Sequence, residues 1–103
     1  MDREMLEQIC EWQNDGQRGA LITIIETKGS TPRKAGSKML ILRSGQSFGT
    51  IGGGCGEGEV RRQALIALDE NRSCLYTVSM LNDVAADEGM VCGGIMEVLI
   101  QII

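Results

Sequence analysis

Residues 49–60 read GTIGGGCGEGEV, and six of these twelve residues are glycine. No helix or long strand runs comfortably through such a stretch, because glycine loses the most conformational entropy on ordering and contributes no side chain to a core. The stretch therefore acts as punctuation. Before it lies SFGTI, an extended segment, and after it EGEVRRQALIALDE, which has the spacing of a helix. A glycine-rich turn from a strand into a helix can aim backbone N–H groups at an anion, with the helix N-terminus adding partial positive charge. Its one reactive side chain is Cys55. A thiol beside a helix N-terminus has a lowered pKa.

The rest of the chain organises around this turn. Met5, Leu6, Ile9 and Trp12 recur at helical spacing over residues 2–13, and Asn14-Asp15-Gly16 ends that helix. ALITIIET (20–27) is apolar on both faces and reads as a central strand. GSTPRKAG (29–36) is a loop, SKMLILR (37–43) a second strand, and 44–46 a tight turn into a third strand over 47–51. The helix over 57–70 buries Val60, Ala64, Ala67 and Leu68. SCLYTVSM (73–80) alternates, placing Cys74, Tyr76, Val78 and Met80 on one face. A loop with a helical turn fills 81–94, and IMEVLIQII (95–103) is a last strand. The expected fold is α/β (α+β): a single domain with a mixed β-sheet of about five strands and two main helices, in the order α-β-β-β-α-β-β.

Composition excludes several classes. A chain of 103 residues that is 43% hydrophobic can build one core, and is unlike a disordered segment. No run approaches the roughly 20 apolar residues of a membrane span. The N-terminus MDREMLEQICEW lacks the basic start and apolar stretch of a signal peptide. The expectation is a cytoplasmic protein with reduced thiols.

The net charge of −4 conceals an asymmetry: residues 27–56 carry +5 and no acidic residue, and the remainder carries −9. A basic loop on an acidic chain fits a small anionic ligand better than a nucleic-acid duplex or a membrane. Of the four cysteines, Cys10 and Cys74 read as packing residues, whereas Cys55 and Cys92 lie in glycine-bearing loops at the ends of elements. There is no histidine and no C-x-x-C pair, so structural zinc lacks its ligand set. The dinucleotide fingerprint fails, because its last glycine would fall on Glu57 or Glu59, and the P-loop pattern is absent. Open readings are a sharp packing turn, a Cys55–Cys92 redox pair, and a soft metal centre or sulfur-bearing ligand with an anionic tail.

Three segments in series, GSTPRKAGSKMLI (29–41), GTIGGGCGEGEV (49–60) and GMVCGGIMEV (89–98), resemble the N-terminal domain of the XdhC/CoxI family across nearly all of residues 1–103. The resemblance implies an accessory chaperone, not a turnover enzyme. Such a protein binds the molybdenum cofactor (molybdopterin) transiently, helps its sulfuration, and inserts it into a xanthine dehydrogenase or CO dehydrogenase type hydroxylase.

Carried over by position, the implied cofactor-binding residues are Ser30, Thr31, Arg33, Lys34, Gly52, Gly53, Gly54, Cys55, Glu57, Cys92, Gly93 and Gly94. Arg33 or Lys34 and backbone N–H groups suit the phosphate. Cys55 and Cys92 are candidate contacts to molybdenum or its sulfur, and a persulfide on either could relay sulfur. Glu57 has two readings, a site residue or an acidic residue in the first turn of a helix. The implied partners are the hydroxylase apoenzyme, a cysteine desulfurase, or a separate Rossmann-domain chain.

Two departures stand out. Gly56 replaces a bulkier apolar residue, and the family's Rossmann-like C-terminal domain is absent from these 103 residues. With IMEVLIQII as the terminal strand, a homodimer through a sheet edge is expected. The readings from other classes are a non-catalytic interaction half-domain and a thiol-redox or sulfur-transfer protein.

Overall fold

The computed structural model describes residues 2–31, 33–52, 56–79 and 93–103. Seven elements follow in order: α1 (Arg3–Asn14), β1 (Gly19–Lys28), β2 (Lys38–Leu42), β3 (Ser47–Gly49), α2 (Glu57–Glu70), β4 (Cys74–Ser79) and β5 (Ile95–Ile102). The five strands form one sheet in the order β3-β2-β1-β5-β4. The expected element order holds throughout.

The sheet is antiparallel at every pairing, where a mixed one was expected. β3 and β4, joined through α2, do run the same way. They sit at opposite edges with three strands between them, so no parallel ladder forms. A second correction concerns β5. It is an interior strand between β1 and β4, which leaves β3 and β4 as the edges. The last strand of the sequence therefore offers no edge for a homodimer. Its apolar alternation fits burial between two neighbours as well as it fits an edge.

Strand alternation divides the core between the two helices. Ala20, Ile22 and Ile24 of β1, Met39 and Ile41 of β2, and Met96, Val98 and Ile100 of β5 all pack with Val60, Ala64, Ala67 and Leu68 of α2. Leu21, Leu40 and Leu42 point the other way and pack with Met5 and Trp12 of α1. Each fully buried Val, Leu, Ile or Met side chain among these stabilises the fold by about 1.5–3 kcal/mol. α1 is the less firmly seated helix. Its Leu6, expected in the core, is 49% exposed, because it lies about 100° around the helix from Met5. Cys10, also expected to pack, is exposed for the same reason: it lies off the Met5–Trp12 stripe. Cys74 packs against the core as expected.

A bulge interrupts the β1–β5 ladder between Ile24 and Glu26. The extra residue shifts the alternation, so Glu26 leaves the α2 face that Ile24 occupies and stands opposite Glu97 on the other face.

Candidate functional site

Because every neighbouring pair is antiparallel, the strand ends sort to two ends of the sheet. One end gathers the end of β1, the start of β2, the end of β3, the start of α2, the end of β4 and the start of β5. The described residues that flank the three motif loops, 29–37, 50–56 and 80–94, therefore lie at this end. Gly53, Gly54, Cys55 and Cys92 lie outside the described residues, as do Pro32, Met80 and the helical turn expected within 81–94. The other nominated residues can be placed.

The first and third loops meet through their backbones. Gly94 is buried, and a Cβ added there would lie 2.6 Å from Thr31 Cγ2 and 2.8 Å from the Lys28 carbonyl oxygen. Only glycine allows that approach. Gly29 reciprocates, its Cβ position lying 3.1 Å from the Gly93 carbonyl oxygen. Ser30 and Thr31 are thus brought against Gly93 and Gly94, a contact across more than sixty residues of sequence that spacing alone does not reveal.

The basic loop is internally ordered. Thr31 Oγ1 donates to the Arg33 carbonyl oxygen at 2.9 Å. Gly36 N donates to Ile24 O at 2.7 Å, and Ile24 N donates to Ser37 O at 2.9 Å. This ladder holds Arg33 and Lys34 outward, both exposed. Lys38 Nζ donates to Thr23 Oγ1 at 3.2 Å. Among the described residues, no carboxylate lies in ion-pair contact with Lys28, Arg33, Lys34 or Lys38. Arg43, the fifth cation of the basic segment, sits at the opposite end of the sheet. There it pairs with Asp69 at 3.2 Å and donates to the Leu68 carbonyl oxygen at the C-terminus of α2.

Glu57 is the one buried charged residue among those described. Its Oε2 accepts from Thr50 Oγ1 at 2.7 Å, and its Oε1 accepts from Arg61 Nη2 at 3.1 Å. Arg61 Nη2 also donates to Ser47 Oγ at 2.9 Å, and Gly52 N donates to Thr50 Oγ1 at 3.1 Å. The network stitches β3, the glycine turn and α2 together, giving Glu57 a scaffolding task beneath the turn. Thr50, Arg61 and Ser47 were not nominated from sequence. The four-residue spacing of Glu57 and Arg61 was the available signal. Gly56 precedes the helix in the left-handed region at φ 80° and supplies no side-chain cap to α2. A bulky residue at Gly56 would be strained there.

A second carboxylate fixes β4 to the start of α2. Glu59 Oε1 accepts from Tyr76 Oη at 2.6 Å and from Arg62 Nη2 at 2.5 Å. The Arg62 guanidinium, then the Tyr76 hydroxyl, hold the Glu59 carboxyl down at about 2. The same hydrogen bond to Glu59 pushes the Tyr76 phenol up.

A polar hollow of about 260 Å³ lies at the loop end beside the N-terminus of α1, lined by Asp2, Met5, Gly36, Ser37 and Lys38. Among the described residues, no cluster of three or more His, Cys, Asp or Glu could hold a metal. No helix there is long and apolar enough to cross a membrane.

Comparison with known proteins places this geometry in a family. The model of the XdhC and CoxI family matches residues 12–79. An uncharacterized Escherichia coli protein, YqeB, is 39% identical over 83 residues, covering 81% of this chain and 15% of its own length. A Bacillus subtilis protein described as a probable xanthine dehydrogenase subunit is 33% identical over 96 residues, covering 91% of this chain and 28% of its own. A crystal structure described as a xanthine dehydrogenase from Bacillus halodurans superposes with a TM-score of 0.70 at 25% identity, covering 92% of this chain and 29% of that one. The chain thus spans less than a third of the length of each of these relatives. With more than half its residues matched by the family model and the three motif loops gathered at one end of its sheet, the chain belongs to the XdhC and CoxI family.

Proposed function

We propose that this domain is an accessory module of a molybdenum hydroxylase system, binding the molybdenum cofactor transiently and handing it to an apoenzyme of the xanthine dehydrogenase or CO dehydrogenase type. The observation that carries the reading is the loop end of the sheet, where the described elements that flank the three family motifs begin or end and where four cations have no ion-pair partners among the described residues. The relatives named as xanthine dehydrogenase proteins point the same way.

The donor set fits the cofactor's chemistry. Arg33 and Lys34, exposed on an ordered loop, would hold its phosphate as charge-assisted donors. The start of α2, where the N-cap Gly56 has no side chain, would add backbone N–H groups. Cys55 and Cys92, nominated from sequence, would supply the soft ligands that molybdenum or its exchangeable sulfur prefers. When bound, the cofactor supplies the redox centre of the recipient enzyme. The chain's own task is to bind, orient and release it. A cysteine desulfurase would be the sulfur donor: a thiolate of Cys55 or Cys92 attacks the outer sulfur of the donor's persulfide, and the donor cysteine leaves as thiolate.

The test is cofactor retention. The protein is purified without oxygen from cells that make the cofactor, beside Cys55→Ala/Cys92→Ala and Arg33→Ala/Lys34→Ala variants. Each is assayed for molybdenum and for the fluorescent pterin oxidation product. Retention by the parent, lost in the cysteine variant and weakened in the basic-loop variant, supports the proposal. A folded parent carrying no cofactor overturns it in favour of a non-catalytic interaction domain.

A further inference from the structure

The face of the sheet that carries α1 is only half covered. α1 packs on Leu21, Leu40, Leu42 and Phe48, toward the β3 edge. Beyond Leu21, no described element packs on the same face across β1, β5 and β4. Leu75 stands directly opposite Leu99 and is 59% exposed, and Ile25 at the bulge is 43% exposed. Beside them Glu26 stands directly opposite Glu97, placed there by the bulge. Like charges in direct cross-strand register oppose sheet formation. Neither carboxylate has an ion-pair partner among the described residues, and Lys28, two residues along on the same face, pairs with neither.

The loop next to this face in sequence offers no remedy. Residues 80–92, MLNDVAADEGMVC, contain no Lys or Arg, so that segment cannot neutralise the pair. Stacked centre to centre on a second copy, the face would bring four carboxylates together. A surface on which exposed Leu75 and Ile25 stand beside a pair of carboxylates without ion-pair partners among the described residues is complementary to one kind of neighbour. We infer that the open half of this sheet face docks a different protein surface that presents a guanidinium or ammonium group among apolar side chains, the cation seating between Glu26 and Glu97. This surface lies on the sheet face, whereas the cofactor reading concerns the loop end, so the two stand independently.

The test uses the domain of these 103 residues. Its backbone amide NMR signals are followed during titration with the peptide acetyl-Leu-Arg-Leu-Leu-Arg-Leu-amide, and with the same peptide carrying glutamate in place of both arginines. The expected result is saturable shifts at Glu26, Leu75, Glu97 and Leu99 with the arginine peptide only. Affinity falls about fivefold or more in Glu26→Gln/Glu97→Gln, and falls with about 0.5 M salt. Leu75→Ser weakens binding while leaving the salt dependence in place. The inference is overturned if the shifts map elsewhere, if the glutamate peptide binds equally, or if the double variant binds as well as the parent. It is equally overturned if sedimentation shows a parent dimer that Leu75→Glu dissociates. Both glutamates are on the open face, so their neutralisation relieves repulsion and the double variant remains folded.

Discussion

The two ends of this sheet treat positive charge in opposite ways. At the end holding the β2–β3 turn and the C-terminus of α2, Arg43 is satisfied by Asp69 and by the Leu68 carbonyl oxygen, and Arg18 is hydrogen-bonded to Asn71. A cleft of about 380 Å³ opens there, yet its cations already have protein partners. At the loop end, Lys28, Arg33, Lys34 and Lys38 have no ion-pair partners among the described residues. The contrast teaches that the net basicity of a segment does not say which of its cations the fold leaves unpaired. Arg43 belongs to the basic segment by sequence and to the structural end by geometry.

The sharpest way to break the contrast is to force the loop end apart. Gly94→Val drives side-chain atoms into Thr31 and the Lys28 carbonyl, and should cost about 3 kcal/mol, read as a fall in the urea midpoint. Its neighbour is the control: nothing lies within 4 Å of a Cβ at Gly93, so Gly93→Ala should stay within about 0.5 kcal/mol of the parent. Equal effects at the two positions would refute the close approach.

Next in size is the scaffold beneath the glycine turn. Glu57→Ala strips Thr50 and Arg61 of a buried acceptor and should cost about 1–3 kcal/mol in the same denaturation experiment. Glu57→Gln keeps the hydrogen bond from Thr50 and should recover part of that loss.

A smaller effect separates the two ends directly. Arg43→Ala should cost up to about 1 kcal/mol, since its pair with Asp69 is mostly exposed. Arg33→Ala/Lys34→Ala should leave stability within about 0.5 kcal/mol and instead weaken binding of inorganic phosphate, measured by calorimetry. A double variant that unfolds early would mean that the loop cations are structural after all.

The smallest effect is titrational. The Glu59 carboxyl is held at about 2, below its ordinary 4.5, so its contribution to stability is fully present above about 4.5. That contribution is lost as pH falls from 4.5 through 2. Thermal melts across this window should show a shallower decline for Glu59→Gln than for the parent. Parallel declines would show that the Arg62 and Tyr76 contacts do not form.

Much of the fold was legible in the sequence. Val60, Ala64, Ala67 and Leu68 are the apolar positions that helical spacing predicts, and all four are buried. ALITIIET was legible as a central strand because both its faces are apolar, and the two faces do meet different helices. Strand order was not legible. Periodicity reports that a strand is buried and is silent about which strands flank it, which is why β5 looked like an edge. The candidate site was legible as three motifs but not as one place. Their convergence depends on antiparallel register across five strands, and the Gly94–Thr31 approach depends on a missing Cβ. Cys10 and Leu6 went the other way, since a helix with a narrow apolar stripe leaves apolar-looking residues in water.

The interior position of β5 has a further consequence for how the domain comes into being. β1, β2 and β3 can zip together as consecutive hairpins while synthesis continues, but β4 has no neighbour in the sheet except β5, and β1 lacks its second neighbour until β5 arrives. β5 must then dock between two strands made earlier, one of them more than sixty residues upstream. Until that insertion, β1 and β4 carry open hydrogen-bonding edges and the α2 core lacks Met96, Val98 and Ile100. A nascent chain emerging at about 5–20 residues per second therefore exposes these edges for several seconds. The interval before β5 docks is therefore the stage at which this domain is most vulnerable to misassembly.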